Sequence, residues 1–504
     1  VRIVIIGGGL GGLAAALRLR ARGHAVTLCE ANERLGGKMN LRERDGWRFD
    51  LGPSLLTMPF VLEELFAATG ARLADYLELQ PVSPVCRYFW PDGLVLDAKC
   101  EGGIPRFTRP ETSTAAFDLA RANAEAARFH AHARGIYELS ADAFLFHAPE
   151  DWRHILRLAN LPKLVHLPKV ATRRTLHDLN ARSFTDPRLI QLFDRYATYN
   201  GSSPYATPAA FAVIPFVEHH FGAWHPRGGI YQIATALERR ARELGVAIRS
   251  NCPVASILTE AEGRPPRACG VRLADGAELA ADVVICNADA VNAGERLLGE
   301  PADSTTTNHP VPSLSGFILT AGVRTQFAHL AHHNIFFSRD YPAEFRAIFD
   351  EGRPAEDPTI YVAINARSDP TQAPSGCDNY FILVNAPALG ERFAWDATAT
   401  NWYASLVLAR LEETHGLRGL RAALAFVEPF TPADFAVRYG AWRGTLYGHA
   451  SHDRFSAFRR PPNRHPRLRN LYFVGGSTHP GGGIPLVLLS GKIVSELVER
   501  AAAQ

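Results

Sequence analysis

Gly7, Gly9 and Gly12 stand at the spacing G-x-G-x-x-G between a β-branched run, Val1 to Ile6, and a stretch of helical composition, Leu13 to Ala21. Strand, glycine turn and helix in that order make a site for a dinucleotide. The glycines let the chain turn tightly and bring backbone N–H groups up to a pyrophosphate, which sits at the positive end of the helix that follows. With 41 glycines among 504 residues such a spacing also arises by chance, so its surroundings decide. Ala16 is small where the helix must pack against a sheet, Gly23 ends the helix, and Val26 to Leu28 open a second strand that closes on Glu30. An acid at that point can accept hydrogen bonds from ribose hydroxyls.

A second glycine cluster lies near the other end, in Asn470-Leu-Tyr-Phe-Val-Gly-Gly-Ser-Thr-His-Pro-Gly-Gly-Gly-Ile-Pro485. Here too a strand meets glycines and then a helical stretch, Leu486 to Ala502, so this element also delivers N–H groups to an anion. Two such elements at opposite ends of a chain can serve one ligand in a domain assembled from both termini. Between them, Leu41 to Phe49 and Cys86 to Leu96 read as strands and Phe60 to Thr69 as a helix. From Pro110 to Asn180 the pattern turns helical, with Thr112 to Glu138 rich in Ala and Arg. A helix over Tyr231 to Leu244 precedes strands at Val246 to Arg249, Val254 to Thr259, Ala268 to Leu273 and Val283 to Cys286. Ser313 to Ala441 then mixes strands, such as Thr359 to Ile364 and Tyr380 to Val384, with a helical pattern over Thr400 to His415. The expected class is α/β: a Rossmann-like domain assembled from discontinuous segments, a mixed-sheet substrate domain and a helical insertion.

Composition bounds the function. A net charge of +3 from 54 basic and 51 acidic residues gives no electrostatic case for nucleic acid. The seven cysteines are scattered, without C-x-x-C, which favours neither a disulfide framework nor a zinc site and fits a reducing cytosol. His329, His332 and His333 have no acid or cysteine at ligand spacing and read as a turn or surface cluster, so no metal is expected. No cleaved signal and no membrane-spanning run is expected either. Between Trp152 and His177, six Arg or Lys and no acid interleave with Trp, Ile, Leu and Val. Such a segment is either an amphipathic helix pair with a solvated basic face or one lying in an anionic membrane surface. Pro162 and Pro168 break it into short helices in both cases.

Beyond Glu30 the chain reads Glu33-Arg34-Leu35-Gly36-Gly37-Lys38, and here it resembles the large flavoprotein group of amine oxidases, phytoene desaturases and Rab GDP-dissociation inhibitors, in which Arg-x-Gly-Gly helps hold FAD. Asp50, Gly52 and Pro53 add to that resemblance. The run Val474 to Pro485 looks like the C-terminal signature of bacterial-type phytoene desaturases and related carotenoid desaturases. Ser203-Pro-Tyr205, Pro226-Arg-Gly-Gly229 and Asn287-Ala-Asp289 extend the similarity over nearly the whole chain. The Tyr199-Asn-Gly-Ser-Ser-Pro-Tyr205 stretch looks closest to hydroxycarotenoid 3,4-desaturases, with much shared by terminal carotenoid oxygenases.

The resemblance implies FAD as cofactor. Gly7, Gly9, Gly12, Glu30, Arg34, Gly36 and Gly37 would hold adenosine and pyrophosphate, Val254 would meet the adenine through its backbone, and Gly475, Gly476, Gly483 and Ile484 would lie by the flavin. It implies FAD-binding parts at 1–100, 221–300 and 456–504, a helical insertion for substrate and membrane contact at 101–220 and a substrate domain at 301–455. The implied reaction removes two hydrogens from a C–C bond of a polyene, in carotenoid biosynthesis. No acid or base is evident; His479 and Glu218 are candidates, each read first as structural, since a lone His or Glu beside a glycine turn often just bonds backbone. The substrate, a carotenoid, would be taken from lipid at the inner face of a membrane, with contact through 152–177. A terminal oxygenase, a carotenoid isomerase, a flavin amine oxidase and a non-catalytic prenyl-chain-binding protein remain as alternatives.

Overall fold

The computed structural model describes residues 1–148, 173–260, 265–300, 311–453 and 460–503. Strand β1 (Arg2–Ile6) is buried from Ile3 onward. Its side chains alternate: Ile3 and Ile5 enter the core shared with helix α1 (Leu10–Ala21), while Val4 and Ile6 pack toward the antiparallel strands Val254–Glu260 and Arg267–Leu273. A strand covered on both faces must be apolar throughout, which is why this one reads as an unbroken β-branched run. β1 is central in a five-stranded parallel sheet, flanked by β2 (Ala25–Cys29) and then Ala247–Arg249 on one side, and by Val283–Cys286 and then Leu471–Phe473 on the other. Three stretches far apart in sequence therefore build one sheet. The strand order reverses direction between β1 and Val283–Cys286, and the crevice at such a switch point is where α/β sheets bind ligands.

Helix α1 carries almost only Leu, Ala and Gly up to Leu19 because it is covered on all sides. The C-terminal helix Ile484–Ala502 crosses it closely enough that a Cβ on Gly491 would lie 2.7 Å from Ala14 Cβ and 3.0 Å from Gly11 O.

A second, eight-stranded sheet runs in the order Leu424–Phe430, Ser315–Val323, Asp378–Ala386, Ile360–Ile364, His333–Phe336, Cys86–Phe89, Val95–Glu101, Ile104–Thr108. Its pairings are antiparallel except where Cys86–Phe89 runs parallel to His333–Phe336. The strands between 86 and 101 thus belong to this sheet, although the sequence groups residues 1–100 with the nucleotide part. Over it lies a helical layer with Leu119–Ser140, Leu176–Ser183, Pro187–Asp194 and Val213–Phe221, cored by Phe129, Phe184, Phe193 and Phe216. The basic segment at 152–177 lies outside the described residues up to 172. Among the described residues no helix is long and apolar enough to cross a membrane.

Candidate active site

One cavity of about 770 Å³ runs from the nucleotide sheet into the space between the eight-stranded sheet and the helical layer. Its first part is built from glycine. A Cβ on Gly12 would stand 2.2 Å from Gly7 O, so only glycine lets α1 start this close to the turn. Gly7, Gly9, Gly36 and Gly37 line the cavity, and the second glycine pair is drawn onto the first turn by Gly36 N donating to Gly8 O at 2.9 Å. Glu30, 5% exposed, lines the cavity at the end of β2. Its Oε2 accepts from Gly8 N at 2.7 Å and its Oε1 from Asn32 N at 2.8 Å, which fixes the carboxylate while leaving acceptor capacity. Val254 lines the same part.

The C-terminal turn meets the first across Asn287. The Asn287 amide donates to Gly7 O at 3.3 Å, and a Cβ on Gly9 or on Gly475 would come within 2.7 or 2.8 Å of its side chain. Gly475, Gly476, Gly483 and Ile484 all line the cavity. Both helices that start here, α1 at Gly9 and the C-terminal helix at Gly483, have no side-chain cap and no acid in the first turn. Their leading N–H groups, apart from Pro485 which has none, are therefore available to an external acceptor, and two positive helix ends converge on one space. A dinucleotide with a negatively charged pyrophosphate fits that donor set, and the glycines leave the approach clear.

Three charged groups border these turns: Lys38 and Asp289, quoted within the sequence motifs but given no role there, and Arg460, which the sequence did not mark. Lys38 Nζ donates to Leu446 O at 2.7 Å and Thr445 O at 3.1 Å; withdrawal from water lowers its pKa and the nearby Asp289 opposes that. Arg460 donates to Gly476 O at 3.4 Å, and burial draws its pKa down to about 10. Asp289 caps the helix Ala290–Leu298, and burial lifts its pKa. Nothing in the spacing of Arg460 or Lys38 separates them from surface cations; only the close return of residues 445–446 and 476 shows their place.

Three of the singled-out positions lie off the cavity wall, and one expectation, about a histidine cluster, is corrected. Arg34 is exposed, pairs with Glu33 at 3.7 Å and does not line the cavity, because the adjoining Leu35 is the residue turned into the core. Gly12 acts through packing and does not line the cavity. His479 lies behind the glycine turn, its Nε2 at 3.0 Å from His147 O and its ring against Phe144; it does not line the cavity either, and burial pulls its pKa down to about 4. His332 and His333 are buried, not a surface cluster. His333 Nδ1 lies 2.7 Å from Tyr361 OH, which in turn meets Ser54 Oγ at 2.5 Å. Among the described residues no three His, Cys, Asp or Glu side chains come together as metal ligands.

The far part of the cavity has apolar walls, among them Val85, Phe211, Ile214, Val217, Ile335 and Leu383. Set in them is a buried polar group. Glu218, 2% exposed, accepts from Tyr196 OH and Tyr199 OH, each at 2.6 Å, and lies 4.0 Å from Arg195. Arg195 donates to Tyr88 OH at 3.0 Å and Tyr199 OH at 3.3 Å. A carboxylate so engaged holds a guanidinium and two phenols in place; its own oxygens are committed. Sequence reading marks Glu218 but not Arg195, which nothing in its local spacing distinguishes.

A fold with a dinucleotide sheet split over both termini, joined to a mixed sheet over an apolar cavity, defines a flavin-dependent oxidoreductase. The model of the flavin containing amine oxidoreductases matches residues 10–498, and the chain belongs to that family. It is 37% identical over 502 residues, 99% of this chain and 98% of the relative, to a 4,4'-diapolycopene oxygenase of Methylomonas sp. It is 34% identical over 507 residues, the whole of both chains, to a 1-hydroxycarotenoid 3,4-desaturase of Flavobacterium sp. (strain P99-3). Among solved structures, a cyclohexylamine oxidase from Brevibacterium oxydans IH-35A superposes with a TM-score of 0.60 over 100% of this chain and 99% of its own, at 16% identity, which shows the shared fold. The protein is an FAD-dependent oxidoreductase of the carotenoid desaturase family.

Proposed function

We propose that the enzyme desaturates a carotenoid, removing two hydrogens from adjacent carbons of the polyene end that reaches the glycine turns. The observation that carries this is the cavity itself: a donor-rich dinucleotide cradle opening directly into an apolar space in which the charged pair Glu218 and Arg195 is already engaged by tyrosines. FAD, when bound, would supply the acceptor for a hydride taken from one carbon, and the proton of the neighbouring carbon would pass to solvent at the mouth of the cavity. The chain's own part is to orient and shield. Gly7, Gly9 and Glu30 with Gly36 and Gly37 would hold the nucleotide half, and the turn Gly475 to Ile484 would place the reactive ring at the mouth of the apolar part. Val217, Ile335 and Leu383 would align the chain and exclude water, which suits a reaction whose positive charge is spread along the π-system. A second reading, oxidation of the polyene terminus, is favoured by the 37% identity to the diapolycopene oxygenase.

The segment 152–177, with its six cations and no acids, would rest on an anionic membrane at the cytoplasmic face and let the water-insoluble substrate pass from lipid into the cavity. The test is expression in a carotenoid-free host supplied in turn with phytoene, neurosporene and 1-hydroxyneurosporene, with products weighed by mass spectrometry and the protein followed through cell fractionation. Loss of two hydrogens with a red-shifted pigment, and protein that leaves the membrane fraction at high salt, is the expected result. Gain of oxygen would select the second reading, and no change on any polyene by the FAD-loaded protein would refute both.

A further inference from the structure

We propose that Asn200 recognises an oxygen near the end of the polyene, a hydroxyl above all, close to the bond that reacts; this deepens the polyene reading and rests on it. Asn200 is 7% exposed and lines the cavity, yet neither its Oδ1 nor its Nδ2 has a hydrogen-bond partner within the protein. A buried amide with both halves unpaired is unfavourable, so a site that keeps one is built for a ligand that pairs it. The polar groups beside it in the chain are largely engaged: Tyr199 OH donates to Glu218, and the Arg195 Nη atoms reach Tyr88, Tyr199 and Glu218, although Arg195 Nε and the cavity-lining Tyr341 OH are also without a partner.

The position along the cavity follows from the next residue. A Cβ on Gly201 would lie 2.7 Å from Tyr447 Cδ2, and a Cβ on Gly482 would lie 2.3 Å from Tyr447 Cδ1, so one tyrosine ring separates the Asn200 turn from the C-terminal glycines. Asn200 therefore stands at the reacting end, on a turn of the helical layer, while the donors for the dinucleotide come from the parallel-sheet side. The Asn200 amide offers N–H donors at Nδ2 and an acceptor at Oδ1. A hydroxyl satisfies both, a carbonyl only Nδ2, and a hydrocarbon end neither. A site designed to hydrogen-bond a hydroxyl rejects the analogue without it, because its own polar atoms are then left buried and unpaired.

The experiment uses the FAD-loaded full chain and two polyenes of equal length, one with a hydroxyl near the end and one all hydrocarbon. The wild type is expected to prefer the hydroxylated chain by about tenfold or more in kcat/KM, and Asn200→Leu to lose about tenfold to a hundredfold on it while holding or gaining on the hydrocarbon. Asn200→Ser, smaller and still polar, is expected to move the same ratio less far and serves if the leucine variant fails to fold. Equal losses on both substrates, or an unchanged ratio in the folded variants, would overturn the proposal. So would a shifted flavin absorption band or a lowered FAD content, either of which would assign Asn200 to the cofactor. A wild type that turns over the hydrocarbon as well as the hydroxylated chain defeats this inference alone, whereas one that acts on neither polyene defeats the polyene reading and this inference with it.

Discussion

At the scale of single residues, the two glycine turns do different work, and substitution separates them. In Gly12→Ala the new methyl would collide with Gly7 O, a backbone atom that also accepts from Asn287, so α1 must back away from the sheet. About 1–3 kcal/mol of stability should go, as for other forced insertions into packed sites, and FAD retention with it. In Gly476→Ala the methyl meets Gly482 Cα at 3.5 Å and Val487 Cγ2 at 3.6 Å, ordinary contacts, but it projects where the cofactor would lie. Its apoprotein should melt with the wild type while its flavin absorbance per protein falls; equal melting of both apoproteins would remove the packing role of Gly12. These glycines were legible because their constraint is local, a turn written into consecutive residues. Arg34 and His479 were not, since the direction of a side chain beside a glycine turn is decided by what the neighbours bury: Leu35 takes the inward place beside Arg34, and His479 faces His147 from the back of its turn.

Among the elements, the joint between the two sheets hangs on one carboxylate. Asp50, at the end of the strand Trp47–Leu51, accepts from Ile230 N at 2.8 Å, Tyr231 N at 2.9 Å and Asn365 Nδ2 at 2.6 Å, tying the Pro226 to Gly229 turn and the end of Ile360–Ile364 to the entry of the cavity. Burial lifts its pKa and the three donors oppose the lift. Asp50→Ala leaves those donors buried without an acceptor and should cost about 3 kcal/mol or more. Denaturant unfolding would show it as a lower midpoint with an early loss of flavin, and a midpoint unchanged from wild type would mean that water replaces the carboxylate. The sequence marked Asp50 only through the resemblance, with no role attached, because its three partners lie some 180 and 315 positions away. The same limit explains the strands from 86 to 101. Their alternation marks them as strands, but pairing with His333–Phe336 is a long-range choice that no local pattern records. Among the five parallel strands, Arg2–Ile6 and Val283–Cys286 were easier, since each is rich in β-branched residues and ends where a glycine turn or Asn287 begins.

Over the whole molecule, burial of imidazoles sets how the protein responds to acid. His130, His219, His225, His415, His449, His452 and His479 are each drawn down to about 4, and His333 to about 3, with burial the leading cause in every case. In the unfolded chain these groups take up protons from about pH 6.5 downward, whereas the folded chain resists until about 4, so their contribution to stability is complete above 6.5 and is lost as the pH falls toward 4. Glu344 acts in the opposite sense. Burial raises it to about 7 despite Thr359 N at 2.9 Å and Asn385 Nδ2 at 2.9 Å, so its contribution is complete below 4.5 and is lost as the pH rises through 7. Eight histidines outweigh it. A differential of even three or four protons makes stability fall by roughly 4–5 kcal/mol per pH unit, enough to exhaust a typical 5–15 kcal/mol within a few units. The protein should therefore keep a steady urea midpoint from pH 8 to 7 and lose it steeply below 6.5, unfolding by about pH 4–5. Glu344→Gln, which removes one of the opposing groups and leaves Asp50, Asp194, Asp289 and Asp378, also raised by burial, in place, should gain stability at pH 8 relative to wild type and little at pH 5. A midpoint that holds level from pH 7 to 4.5 would show that the buried imidazoles reach protons in the folded state, through water in the cavity that His333 and Tyr361 border.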